Sequence, residues 1–336
     1  MSIFLDAARG VDTARAPIWL MRQAGRHLPE YMALKKKHSF WEMCREPEIA
    51  VEVTMQPVRR YGMDAAVMFS DIMTPLESMG VDIDFKPGPV IAAPIRSMAA
   101  VEQLRVPEKG EIAPYVGALL RGLREVCPVP VIGFGGAPLT LATYLVEGSG
   151  SKEYALFRQF LRAEPEASHA LLDKLTEVSI RYLQMQIESG AQAVQLFDSW
   201  AGLHGQDTYE VFGAPYAARV LAALEGMAPR VYLAVGACHL IPQIAALPFE
   251  VFSADWRQPL DQVRAMLPGK VLQGNLDPAV LLAPPAVMEA EALKVLRQGL
   301  GGAHIFNLGH GIMREADPDN VARLVALVKG FDRHQG

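Results

Sequence analysis

Eight short apolar runs, each followed by a polar or glycine-rich turn and separated from the next by amphipathic stretches, predict an α/β protein of the (β/α)8-barrel class over 336 residues. A doubly wound sheet would explain the same alternation. It usually carries a glycine-rich phosphate turn after an early strand, however, and no GxGxxG follows Met21 or Phe69. The predicted strands are 17–21 (PIWLM), 65–69 (AAVMF), 129–134 (VPVIGF), 193–197 (AVQLF), 231–235 (VYLAV), 251–254 (VFSA), 271–273 (VLQ) and 304–307 (HIFN). Helices are predicted over 48–61, over 153–188 with a break near Pro165, over 206–225, and over 318–329. The spacing from the fifth to the seventh run leaves no room for full crossover helices, so those connections are expected to be short or irregular. VDIDFKPGPVI, residues 81–91, reads as an inserted hairpin. No Gly/Ser linker, low-complexity segment or charge block marks a boundary, which predicts one barrel domain over 1–336.

Composition narrows the function. With 51% apolar residues the chain can bury a large core, and 32 Lys+Arg against 37 Asp+Glu give a net charge of -5, which provides no general field for nucleic acid. An anionic ligand would need a local basic cluster. Cys44, Cys127 and Cys238 are far apart and form no CxxC, so neither a disulfide framework nor a structural zinc site is expected. The N-terminus has no signal-peptide core, and no run approaches about 18 apolar residues. A cytoplasmic protein without a membrane span is the expectation.

Barrel chemistry sits where the strands end, because the βα loops converge there. After the first run comes MRQAGR, with Arg22, Gln23 and Arg26, an anion site in outline because guanidinium forks bind carboxylates bidentately at any working pH. Surface salt bridges are the alternative. The nearby Lys35, Lys36 and Lys37 read as a solvated helix face. Asp71 follows an apolar strand and precedes Ile72 and Met73, so its carboxylate needs donors from the protein or from a ligand; capping the next helix is the competing role. The Gly135-Gly136-Ala137-Pro138 turn would admit a ligand close to the backbone and leads into a helix bearing Tyr144, which by itself reads equally as a core tyrosine. Asp198 and Ser199 follow the fourth strand without a GxSxG elbow, so Ser199 reads as a hydrogen-bond donor rather than a nucleophile. Cys238 and His239 are adjacent and have no later cysteine, which disfavours zinc. Asp255, Asn275 and the glycine-flanked His310 complete the rim, where an imidazole could donate to an anion or transfer a proton.

Taken together, PIWLMRQAGRHLPEY, DAAVMFSDIMTPLESMG, GFGGAPLTLATYLVEG, QLFDSWAG, QGNLDP and FNLGHGI resemble the signature segments of the uroporphyrinogen decarboxylase family, in family order and over most of the chain. The resemblance implies a distorted single-domain TIM barrel, a homodimer, and a lyase of haem biosynthesis that needs neither cofactor nor metal. The implied reaction converts the four acetate side chains of uroporphyrinogen III to methyls, giving coproporphyrinogen III. It further implies that Arg22, Gln23 and Arg26 hold substrate carboxylates and that Asp71 lies at the macrocycle centre. Phe134, Tyr144, Ser199 and His310 would supply the remaining substrate contacts, with Asp71 and Arg22 as the catalytic pair. Three positions depart from common family patterns: His27 for tyrosine, Leu139 for tryptophan, and Trp200 where animal members have histidine, so no acid acts from position 200. Two rivals are a cobamide-dependent methyltransferase of the same superfamily, which would need a His-x-Cys pair and a later cysteine, and a tetrapyrrole-binding protein without turnover.

Overall fold

The computed structural model describes residues 2–85, 88–151 and 153–334. Its centre is a curled, all-parallel sheet of seven strands in chain order. These are β1 (Ala66–Val67), β4 (Val131–Gly136), β5 (Ala193–Asp198), β6 (Arg230–Ala234), β7 (Val251–Ser253), β8 (Val271–Leu276) and β9 (His304–Leu308). Between β1 and β4 an antiparallel hairpin of β2 (Ile83–Phe85) and β3 (Pro89–Ile91) stands apart, pairing Ile83 with Ile91. Residues 86–87 of the predicted insertion lie outside the described residues.

The predicted first strand, 17–21, does not form a ladder strand. Its one bridge is parallel, Ile18 to Phe306. The reason lies in what satisfies its backbone: Ile18 N donates to Asp64 Oδ2 at 2.8 Å, Leu20 N to Gln23 Oε1 at 3.0 Å and Met21 N to Asn307 Oδ1 at 3.0 Å. Side chains have replaced a neighbouring backbone as acceptors. Even so, the segment touches both edges of the sheet, since Phe306 N donates to Pro17 O and Asp64 N to Ile18 O, each at 2.8 Å. Arg15 clamps the junction with two 2.7 Å bonds to the Asp64 carboxylate.

The helices follow from local signals. Pro47–Tyr61 starts with proline in its first turn and stops at Gly62, whose φ of 66° is left-handed. The long predicted helix is two, Ala155–Ala163 and Pro165–Ser189, divided as Pro165 requires. The stretch 206–225 is also two helices, Gln206–Phe212 and Ala214–Ala222, meeting at Gly213. The connections after β6 and β7 are short, carrying only Ile241–Ala245 and Leu260–Met266 beyond one 3-10 turn.

Two separate cores result. The larger packs the outer sheet face against the helices. The smaller fills the inside of the curl with Trp19, Ile132, Ala193, Val231, Leu233, Val251, Val271 and Ile305, and the N-terminal helix Ile3–Ala8 caps it with Phe4, Ala7 and Ala8. A polar layer runs through this interior. Trp19 Nε1 donates to Gln273 Oε1 at 2.9 Å, and Gln273 Nε2 donates to Gln195 Oε1 at 3.0 Å and to Ser253 Oγ at 2.9 Å. Strand alternation then puts Phe134, Phe197, Asp255, Asn275 and Asn307 above it, toward the strand ends. Among the described residues no helix is long and apolar enough to cross a membrane.

Candidate active site

The strand ends carry one cluster of mutually sensing groups. Arg22 sits in the turn after residue 21 with φ 61°, a left-handed conformation that an L-residue adopts only when its surroundings hold it there. Its side chain lies flat against Gly311, where a Cβ would overlap the Arg22 Cδ, so the glycine after His310 is what lets the guanidinium pass. Arg22 and Arg26 are exposed and make no hydrogen bond or salt bridge among the described residues.

Gln23 behaves differently from its neighbours. It is completely buried, accepting from Leu20 N and donating through Nε2 to Ala65 O at 3.1 Å. Its amide ties the arginine turn to the start of β1, bonding backbone groups of Leu20 and Ala65.

Asp71 follows β1. Its Oδ1 accepts from Met73 N at 2.9 Å, while Oδ2 has no donor among the described residues. Burial raises its pKa, opposed by the Met73 amide and by Arg22. The capping role is thus only half the answer, since the second oxygen remains available. Thr74 Oγ1 supports the turn from below, accepting from Asp71 N at 3.3 Å and lying 3.0 Å from Ser70 Oγ.

Tyr144, half-buried on the helix Pro138–Glu147, is close enough to feel both Asp71 and Arg22; burial raises its pKa. Its ring meets Trp200 edge-on at 5.9 Å, and Tyr154 packs on the far side of Trp200 at 4.4 Å. Phe134 reaches up from β4 and meets Phe197 edge-on at 5.5 Å, forming an apolar floor. Gln186 holds the Phe134 backbone from outside, accepting from its N at 2.7 Å and donating to its O at 2.8 Å. Ser199 is half-buried with no protein partner among the described residues.

His310 accepts from Gly311 N through Nδ1 at 2.8 Å. Burial, then Arg22 and Arg257, push its pKa down to about 4, against a smaller opposing pull from Asp255. Burial thus favours the uncharged imidazole, whose proton would sit on Nε2 to match the Nδ1 contact and point a donor away from the backbone.

Asp198 proves to be structural. It is fully buried on the helix side of β5, accepting from Thr140 Oγ1 at 2.7 Å and from Tyr232 OH at 2.8 Å, with Tyr209 OH 2.5 Å from Tyr232 OH. His239 Nε2 is bound to His204 O at 2.8 Å, turned away from Cys238's role as a potential ligand. Among the described residues no three His, Cys, Asp or Glu side chains converge as a metal site. Two rim residues went unremarked in the sequence. Trp256 and Arg257 follow Asp255 after β7, and the Trp256 ring lies edge-on to His310 at 6.4 Å. The signal was positional, since they occupy the same place after a strand as Arg22 and Asp71. The cavities detected elsewhere do not carry this chemistry: one of about 10 Å³ lies beside Cys238 and Ile241, and one of about 310 Å³ lies at the opposite end beside Arg9 and Lys270.

The chain matches the family model described as uroporphyrinogen decarboxylase over residues 1–331. It is 47% identical over 330 residues to a uroporphyrinogen decarboxylase of Geobacter metallireducens, covering 97% of each chain. A second, from Geobacillus thermodenitrificans, is 47% identical over 333 residues, covering 98% of this chain and 96% of that one. Among solved structures, a methyltransferase from Methanosarcina mazei superposes with a TM-score of 0.82 over 97% of both chains at 21% identity, a likeness of fold alone.

Proposed function

The chain belongs to the uroporphyrinogen decarboxylase family, and from that premise we propose that it converts uroporphyrinogen III to coproporphyrinogen III by removing CO2 from four acetate side chains. The observation that carries this reading is the pairing of an enclosed carboxylate, Asp71, having one oxygen without a protein donor, with the unpartnered guanidinium of Arg22.

A porphyrinogen is flexible, so its pyrrole N–H groups can turn to one side and donate to a single acceptor. Asp71 Oδ2 is that acceptor in this reading, and the ligand supplies the donors the protein withholds. Protonation of the ring carbon next to the one that bears the acetate places positive charge on the pyrrole nitrogen, conjugated to the acetate-bearing carbon. The bond to the carboxylate then breaks as CO2 leaves, its electron pair forming an exocyclic methylene and neutralising the ring. Protonation of that methylene and loss of the ring-carbon proton give the methyl group, with one proton consumed per CO2 released. Asp71 stabilises the charge as it develops on nitrogen. The pyrrole itself serves as electron sink, so the reaction calls for no cofactor.

Arg22 is assigned to hold the scissile carboxylate, and the proton arrives through Arg22 or a bound water, a guanidinium being by nature a weak acid. Arg26, Ser199, Tyr144 and the neutral His310 are assigned to the surrounding carboxylates, and Phe134 to the face of the macrocycle. Gln23 serves by positioning Arg22. We further read residues 17–21 as the eighth stave of a distorted TIM barrel, since the segment bonds both edges of the sheet, and residues 1–336 as one domain acting as a cytoplasmic homodimer.

The test is anaerobic incubation of EDTA-treated protein with uroporphyrinogen III, then oxidation and separation of porphyrins by carboxylate number. Seven-, six-, five- and four-carboxylate species are expected. Persistence of the eight-carboxylate substrate despite binding would overturn the enzyme reading in favour of a carrier.

A further inference from the structure

Arg257 has the makings of a second carboxylate anchor. It lies two residues beyond Asp255, and the Asp255 carboxylate organises the turn around it, with Oδ1 accepting from Arg257 N at 2.8 Å and Oδ2 accepting from Arg257 Nη1 at 2.9 Å and from Gly236 N. The Asp255 side chain is 3% exposed and that of Arg257 48%. A buried acid therefore holds an arginine whose other face is open. The guanidinium carbon stands 4.1 Å over the Trp256 ring, a stacked arrangement that fixes the plane of the fork. Its Nε and Nη2 make no hydrogen bond among the described residues.

The position of this fork is set by the backbone. A Cβ at Gly309 would overlap Trp256 N, so the loop carrying His310 and the turn carrying Arg257 lie against each other. Trp256, edge-on to His310, is the partition between them. His310 feels both Arg22 and Arg257, whereas Asp71 feels Arg22 alone. Arg22 packs on Gly311 and Trp256 stands edge-on to His310, so Arg22, His310 and the Arg257 turn are successive neighbours on the rim. A macrocycle centred on Asp71 directs its side chains outward along that line.

Resting on the decarboxylase reading, we propose that Arg257 is a substrate-binding residue that grips a peripheral carboxylate of the tetrapyrrole, on the far side of His310 from the reacting centre. Pre-organisation by Asp255 and Trp256 means that little freedom is lost when the fork engages.

The experiment measures kcat, KM and the anaerobic dissociation constant for uroporphyrinogen III, the last by tryptophan fluorescence, for the unmodified chain, R257Q and R257K. Losing one charge-assisted contact should raise KM and the dissociation constant by about tenfold in R257Q, more than it lowers kcat. R257K should recover part of that affinity but not all, since it restores charge without the fork. An R257Q affinity equal to that of the unmodified chain would overturn the proposal, as would R257K being no better than R257Q, which would mark the Asp255 pair as purely structural. If the unmodified chain binds without releasing CO2, the decarboxylase reading falls on its own, and the binding constants still decide the role of Arg257.

Discussion

Asp71 and Asp198 stand beyond β1 and at the end of β5, on either side of β4, both are enclosed, and both have pKa values raised by burial, yet they do opposite things. Asp198 has a hydroxyl on each oxygen, from Thr140 and from Tyr232, and sits among the outer helices. Asp71 has one backbone amide on one oxygen and faces Arg22 across the open side. A carboxylate whose acceptor sites are filled by its own protein is part of the frame. One left partly unfilled in an enclosed place is held ready for a ligand.

The comparison breaks if Asp71 can be neutralised without consequence. Asp71→Asn is expected to lower turnover of uroporphyrinogen III by about 10²–10³-fold or more, the scale of losing one fixed electrostatic stabiliser, with no loss of thermal stability. Chromatography by carboxylate number and a melting curve check both halves.

Arg22 sharpens the contrast from the cation's side. Arg22→Gly should abolish most turnover while leaving the unfolding free energy unchanged or raised by up to about 1 kcal/mol, because glycine adopts φ 61° without strain. Urea unfolding monitored beside the activity assay would show the two properties parting. Arg22→Lys should still lose about 10²-fold, since charge without the planar fork does not orient a carboxylate.

His310→Gln keeps a donor in roughly the same place. It should raise KM by about tenfold or less. Because the imidazole titrates at about 4, the slope of log kcat against pH between 5 and 8 should be the same in the variant and the unmodified chain. A limb near pH 6.5 that vanished in the variant would show that His310 carries a proton in turnover.

The smallest effect on activity belongs to Asp198→Asn, expected within threefold of the unmodified chain. Its signature lies in stability. The folded Asp198 pKa of about 6 exceeds its ordinary value of 3.8, so the native state binds more protons than the unfolded chain between about pH 4 and 6. That contribution to stability is present at low pH and is lost as pH rises through 6. The asparagine variant lacks the loss, so its stability relative to the unmodified chain should rise by about 2–3 kcal/mol from pH 4 to pH 7.5, measured by urea unfolding. Tyr232 and Thr140 can reorient their hydroxyls to suit the amide.

Much of this was legible in the sequence because it depended on runs and breaks. Seven of the predicted strands appear as ladders since their continuous apolar runs match a sheet buried on both faces, and Pro165 divides the helices where it stands. The segment 17–21 has the same apolar look but gave its amides to Asp64, Gln23 and Asn307, acceptors distant in sequence for two of the three. The positions of Arg22, Asp71 and His310 followed from strand ends, while Tyr144, on the helix Pro138–Glu147, stands out only through the family resemblance. Whether a given polar residue points into the rim or back into the frame did not, because that depends on a one-residue alternation and on partners from other strands. Asp198 beside Ser199 turns on that alternation, and Gln23 beside Arg22 on its bonds to the Leu20 and Ala65 backbone. Arg257 escaped notice because an exposed arginine two residues past a strand resembles any surface arginine until Asp255 and Trp256 are seen to hold it.

The filled interior has a further consequence for traffic. Beneath Phe134 and Phe197 lie the glutamine layer, then the apolar packing, then the helix Ile3–Ala8 across the far end. Among the described residues the far end is closed. A ligand and anything released from it therefore share the strand-end side of the sheet, where Arg22, Asp71 and His310 stand.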